Sequence, residues 1–169
     1  MSILTEAELN TALADNQTRS ITPSHIRDLV DSVIAIAGTM YASGVDLDIT
    51  TAYVPAAPFP FFTNSIDTKG LTEDLTKGHF TVTKGGVYKA EATLCIDSPF
   101  NGEITLAIVK NGALTPYEVT YTVTSGVKIP FLVSGTGTLV DGDTVGLAIK
   151  GSGNATLPMI HGTLIVTKL

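Results

Sequence analysis

An alternation of apolar and polar residues runs through most of this chain and constrains its fold more than any other feature. The clearest run covers residues 88–96, in which Tyr88, Ala90, Ala92, Leu94 and Ile96 alternate with Lys89, Glu91, Thr93 and Cys95. Side chains of a β-strand point alternately to the two faces of its sheet, so this run predicts a strand with one buried face. Shorter runs of the same period occur at 104–108, 119–123, 127–133, 145–149 and 164–166.

Turn-forming dipeptides separate these runs. Asn111-Gly112 is a strong hairpin signal, and Ser125-Gly126 and Asp141-Gly142 likewise predict turns between strands. Many short strands with frequent turns predict an antiparallel β-sandwich or barrel and argue against a βαβ fold. The stretch 54–62 contains three prolines, so it is expected to form a loop or an edge.

The first 38 residues have a different pattern, which predicts helices. Thr5 and Glu8 form a capping box, and Thr22 caps a second helix with Pro23 at its first helical position. Gly38 is the expected end of that helix. A one-sided apolar stripe with helical spacing follows the cap, consisting of Ile26, Leu29, Val30, Val33, Ile34 and Ala37. The sequence therefore divides into a helical segment, 1–38, and a β-domain, 39–169.

The helical stripe has two possible partners. It can pack on the chain's own sandwich, or it can dock on another protein or bundle with copies of itself. Because the stripe is wide and lies near the start of the chain, we interpret it as an anchor that projects the β-domain outward. The predicted contact residues of this anchor are Ile26, Leu29, Val30, Val33 and Ile34.

Composition indicates association with other subunits. Charged residues make up only 15% of the chain and hydrophobic residues 44%, against a usual charged fraction of about 25%. Part of so apolar a surface is expected to be covered by copies of the chain. The formal net charge is −6 and there is no basic run, which argues against nucleic-acid binding. The sequence shows neither a run of about 18 apolar residues nor a cationic signal peptide, so membrane insertion and secretion are not expected.

The residues that carry chemistry are few, and we expect no enzyme, metal site or cofactor. His25, His79 and His161 are scattered along the sequence, and no nucleophile or phosphate-binding motif is present. The aspartate pairs at 46 and 48 and at 141 and 143 could contribute to a calcium site, but two aspartates are more typical of a turn. Cys95 lies six residues from Lys89 on the same strand face, too far for activation, so it is interpreted as a buried or interface cysteine.

Three segments of the β-domain resemble the tumour-necrosis-factor-like jelly roll, the superfamily that includes the complement globular heads. Residues 78–88, GHFTVTKGGVY, fit its pattern G-x-F-x-V-x-x-x-G-x-Y, and residues 137–145, GTLVDGDTV, fit L-x-x-GD-x-V. Residues 161–166, HGTLIV, are similar to its closing strand, without the usual aromatic before Gly162. This resemblance implies a ten-stranded, two-sheet sandwich that forms a homotrimer.

The helical segment resembles the leader of small structural proteins of tailed bacteriophages, through residues 4–9, LTEAEL, and 21–33, ITPSHIRDLVDSV. This resemblance implies a virion protein of the capsid-decoration or head-fibre type, made in the host cytoplasm and bound to the major capsid protein or another virion protein. The alternative is a tail-fibre component that recognises a glycan or protein receptor on the host surface. Tyr117 and the aromatic residues of the cluster 59–62 are the side chains that would serve such recognition.

Overall fold

The computed structural model describes residues 36–53 and 62–169, which form ten β-strands. The first five are β1 (Ala37–Ile49), β2 (Asn64–Lys69), β3 (Leu71–Asp74), β4 (His79–Val82) and β5 (Gly86–Asp97). The others are β6 (Gly102–Lys110), β7 (Ala113–Val123), β8 (Lys128–Leu139), β9 (Thr144–Gly151) and β10 (Ala155–Lys168). No helix within these ranges is long and apolar enough to cross a membrane.

The strands form two five-stranded antiparallel sheets that pack face to face. Sheet A has the order β2-β1-β10-β5-β8, and sheet B has the order β3-β4-β9-β6-β7. The chain crosses between the sheets repeatedly, and the first strand, β1, pairs with the last, β10. This topology confirms the predicted jelly-roll sandwich, including its ten strands and two sheets.

The alternating runs form the core as predicted. The inward residues of β5, from Tyr88 to Ile96, are each at most 7% exposed. Phe80 and Val82, from the segment 78–88, are 0% and 1% exposed and pack against them. In β6 and β9, however, outward residues are buried as well: Ala107 is 0% exposed and Ala148 2%. These two strands lie in the middle of sheet B, where neighbours on both sides cover small side chains.

The N-terminal boundary of the β-domain differs from the prediction. Strand β1 begins at Ala37, so Ala37 and Gly38 belong to the sandwich and do not end a helix. A Cβ atom on Gly38 would lie 2.8 Å from the ring of Phe80, so glycine is required here for close packing between the sheets. The sequence alone does not distinguish a glycine that ends a helix from one that makes room for the ring of a neighbouring strand. The predicted anchor residues, 26–34, lie outside the described residues.

The two aspartate pairs have different settings. Asp46 and Asp48 lie within β1, not in a turn, and the Asp48 carboxylate accepts a hydrogen bond of 2.6 Å from the Thr156 hydroxyl on β10. Asp141 and Asp143 lie in the β8–β9 turn, as predicted. The backbone N–H of Gly85 donates to the Asp141 carboxylate, which ties this turn to the one before β5.

The Asp143 carboxylate joins two turns at one end of the sandwich. It accepts hydrogen bonds from the Val140 N–H at 2.8 Å and from the Asn111 amide at 2.7 Å. It also forms an ion pair of 2.7 Å with the Lys110 ammonium. Asn111 has a φ of 52°, the left-handed conformation required by the β6–β7 hairpin. The bond from Lys110, followed by those from Asn111 and Val140, lowers the pKa of Asp143 to about 2.

We expect this carboxylate to stabilise the fold at neutral pH and to lose that effect in acid. Its folded pKa is below the ordinary value of about 3.9, so its contribution is complete above pH 4 to 5 and disappears as the pH falls toward 2. Asp143→Asn should therefore lower the melting temperature at pH 7, and the difference from the unmodified protein should shrink between pH 4 and 2. Calorimetry over this range measures both effects.

Asp46→Asn, which changes an exposed aspartate of β1, provides the control and should leave the melting temperature nearly unchanged at pH 7. The pKa of Asp74 is also lowered, by the hydrogen bond from Thr76, so Asp74 contributes to the pH dependence as well. Because Asp74 is present in all three proteins, the difference in melting temperature between them reports on Asp143. A constant difference between Asp143→Asn and the unmodified protein from pH 7 to pH 2 would contradict this account.

Candidate functional site

The outer face of sheet A, which points away from the core, is the candidate functional site. The strand register places outward side chains of β1, β10, β5 and β8 side by side in rows across it. One row consists of Tyr41, Thr163, Thr93 and Leu132, and the next consists of Ser43, His161, Cys95 and Pro130. Each row thus joins residues from both ends and the middle of the sequence.

Exposed apolar side chains are concentrated on this face. Among the described residues, nine large hydrophobic side chains are exposed. Six of them belong to the outer face of sheet A: Tyr41, Ile66, Val87, Leu132, Ile165 and Leu169. Leu169 continues the alternation of β10, and its N–H donates to the Val87 carbonyl at 2.9 Å. Such a concentration is typical of a protein-interaction surface.

The part of the face formed by β10, β5 and β8 carries little net charge. On β10, β5 and β8 between the rows of Cys95 and Lys89, the charged side chains are Lys89 and Glu91, which form an ion pair of 2.8 Å. Half of the other outward residues there are Thr or Ser, and the hydroxyls of Thr93 and Thr163 lie 2.6 Å apart. Paired charges and mutually bonded hydroxyls lower the cost of covering this surface with another protein, because few polar groups lose a partner.

Cys95 and His161 are direct cross-strand neighbours on this face. Cys95 is half-buried on β5 and His161 is exposed on β10, and their Cα positions pair in the register. Directly opposed residues in an antiparallel pair have Cβ atoms about 4.5–5.5 Å apart. From the sequence, Lys89 is the one candidate partner for the thiol, since the pairing of β5 with β10 cannot be read from one strand. His79 lies on sheet B, so these two histidines do not converge.

The aromatic residues suggested for receptor binding have other settings. Tyr117 lies within β7 and not in a loop, is half-buried, and its hydroxyl donates to the Thr136 carbonyl at 2.5 Å. Phe62 is 2% exposed and belongs to the core. The rest of the cluster, 59–61, lies outside the described residues, as do the predicted anchor residues Ile26, Leu29, Val30, Val33 and Ile34.

A second group of interacting side chains lies on the outer face of sheet B. The Tyr53 hydroxyl donates to the Glu118 carboxylate at 2.9 Å, and the Lys150 ammonium lies 4.4 Å from the centre of the Tyr53 ring. Burial, followed by the bond to Glu118, raises the pKa of Tyr53 far above its ordinary value. Tyr53 therefore remains a neutral donor, and the group fixes the chain after β1 against sheet B.

Comparison with known proteins identifies the fold alone. No protein-family model matches the chain, and no curated protein matches it in sequence. Among solved structures it is similar to Eiger TNF from S. frugiperda, with 14% identity, a TM-score of 0.55, and coverage of 80% of this chain and 92% of that one. The globular domain of zebrafish complement 1qA protein gives 15% identity, a TM-score of 0.54, and coverage of 79% and 96%. The fold is thus the jelly roll of the TNF and complement globular domains.

Proposed function

We propose that this protein is a homotrimeric structural protein of a tailed-bacteriophage particle, of the capsid-decoration or head-fibre type. The outer face of sheet A forms the contacts between subunits, and the helical segment attaches the trimer to the particle. Its activity is association and not catalysis. The observation that carries the proposal is the concentration of exposed apolar side chains on one face with little net charge.

The energetics of this face favour burial against other copies of the chain. A Leu or Ile side chain that is fully removed from water contributes about 1.5–3 kcal/mol, and six large apolar residues lie on this face. Because Lys89 and Glu91 already neutralise each other, covering them leaves no unpaired charge. The similarity of fold to TNF and complement globular domains supports a trimer in particular.

The attachment to a virion rests on the phage-leader resemblance of residues 4–33. The described chain begins at Ile36, whose carbonyl accepts a hydrogen bond of 2.8 Å from the N–H of Lys168 at the end of β10. The segment before it therefore joins the sandwich beside the C-terminal strand, next to the proposed contact face. In a trimer, three such segments act as linked binding sites, which raises the avidity for a particle.

The first test is the oligomeric state. Light scattering on the full chain should give a mass near three times 17.6 kDa. Leu132→Asp, on strand β8 of the outer face of sheet A, should convert the trimer to a monomer, because a carboxylate without a partner would be buried in the contact. The side chain is 56% exposed in the single subunit, so the substitution should leave the fold intact.

The matched control is Leu114→Asp. Leu114 is 44% exposed but lies on β7 of sheet B, away from the proposed contact, so this variant should remain a trimer. A monomeric unmodified protein at micromolar concentration, or equal dissociation of both variants, would show that the outer face of sheet A does not mediate assembly.

The second test addresses the anchor. Leu29 and Val33 are one turn apart on the predicted stripe, and replacing both with aspartate removes apolar burial and adds two desolvation penalties. Because three anchors act together in each trimer, binding to particles that lack the protein should fall below detection. The circular dichroism of the β-domain and the trimer mass should not change.

A double replacement off the stripe, Arg27→Asp with Ser32→Asp, is the control and should still bind in a particle co-sedimentation assay. Normal decoration by the Leu29 and Val33 variant would mean that the stripe is not the anchor. Unfolding of that variant would place the stripe in the chain's own core.

A further inference from the structure

A cavity of about 70 Å³ opens between β7 and β8, where the edges of the two sheets meet. It reaches inward from the gap between these edge strands to the inner faces of both sheets. Its apolar lining includes Ala90 and Val166 from sheet A and Ile108 and Val145 from sheet B. Since it lies between the sheets, it is separate from the outer face of sheet A.

Two glycines of β8 line this cavity, and one of them leaves open space beside it. The inward positions of that strand are Phe131, Val133, Gly135, Gly137 and Leu139, of which only the glycines lack a side chain for the core. The Tyr117 ring packs directly against Gly135, and a Cβ atom added to Gly135 would lie only 2.2 Å from that ring. A Cβ on Gly137, by contrast, would have no atom within 4 Å. Gly137 lines the cavity and is itself exposed, so the open space beside it lies at the mouth of the cavity.

The polar groups around the opening are already engaged. The Tyr117 hydroxyl donates to Thr136, and the Thr115 hydroxyl donates to the Ile108 carbonyl at 2.7 Å. The Lys110 ammonium is paired with Asp143 at 2.7 Å and also donates to the Thr138 carbonyl at 3.2 Å. A charged or strongly polar ligand would lose water here without gaining a partner, so the lining selects against it.

We propose that this cavity binds the end of a small neutral hydrocarbon group. An apolar cavity of about 150 Å³ accepts benzene, with six carbons, so the present volume suits about three carbons. The opening between β7 and β8 allows a longer molecule to insert only its apolar end. Glycine in a strand interior weakens the strand and often marks the close approach of a ligand, which fits Gly137.

Straight-chain alcohols from ethanol to hexanol test this site, because they differ only in the length of the apolar end. NMR of the full-length protein should show saturable shifts confined to methyl groups that line the cavity, among them those of Ala90, Ile108, Val145 and Val166. The affinity should rise about fourfold for each added methylene, then level off once about three carbons are inside. Ethylene glycol should produce no saturable shift.

Gly137→Val places a side chain at the mouth of the cavity and should reduce the affinity for butanol at least tenfold. Gly137 has no positive φ and open space beside it, so a larger residue fits its backbone. Gly153→Val is the matched control, because Gly153 also has open space and a permissive backbone but lies in the β9–β10 turn. This variant should bind butanol as the unmodified protein does.

If Gly137→Val does not fold, Gly137→Ala decides the question, because one added carbon should lower the butanol affinity about fourfold. The proposal is overturned if the unmodified protein shows no saturable methyl shifts. It is equally overturned if the Gly137 variants bind butanol as tightly as the unmodified protein, or if ethylene glycol binds as well as butanol. None of these outcomes depends on the oligomeric state.

Discussion

The pairing of β1 with β10 is the contact on which the rest of the sandwich depends. It joins residues 37–49 to residues 155–167 through an antiparallel register, and both strands lie in the interior of sheet A. Without it, sheet A would divide into separate pieces, and the core residues Met40 and Leu164 would lose their neighbours. Contacts this distant in sequence are costly to form, so folding of this chain is expected to be slow compared with helical proteins of similar size.

Much of the fold was readable from the sequence because burial on one face imposes a period of two. The run from Tyr88 to Ile96 predicted its strand and its buried face correctly, and Asn111-Gly112 marked a real hairpin. The prediction was less successful in β6 and β9, where both faces are buried and the alternation no longer distinguishes inside from outside. At Gly38 it placed a helix end where a strand begins, because the reason for the glycine is the ring of Phe80 on another strand.

The candidate site was less predictable, since it depends on register between strands that are distant in sequence. The low fraction of charged residues predicts that part of the surface is covered by other subunits, but it does not show which part of the surface that is. Cys95 and His161, and likewise Thr93 and Leu132, become neighbours only when β5 pairs with β10 and β8. Tyr117 is a candidate loop aromatic in the sequence but lies within β7, an edge strand.

The positions of two prolines also bear on how copies of this chain meet. Pro116 and Pro130 lie within β7 and β8, which are edge strands of their sheets, and each removes a backbone N–H that a neighbouring strand would need. Open-ended growth by addition of strands, the route to fibres, is therefore interrupted on this side of both sheets. The same side holds the gap between β7 and β8. On this side the sheet faces remain as the surfaces for the proposed assembly, and contacts between faces can close into an oligomer of fixed size.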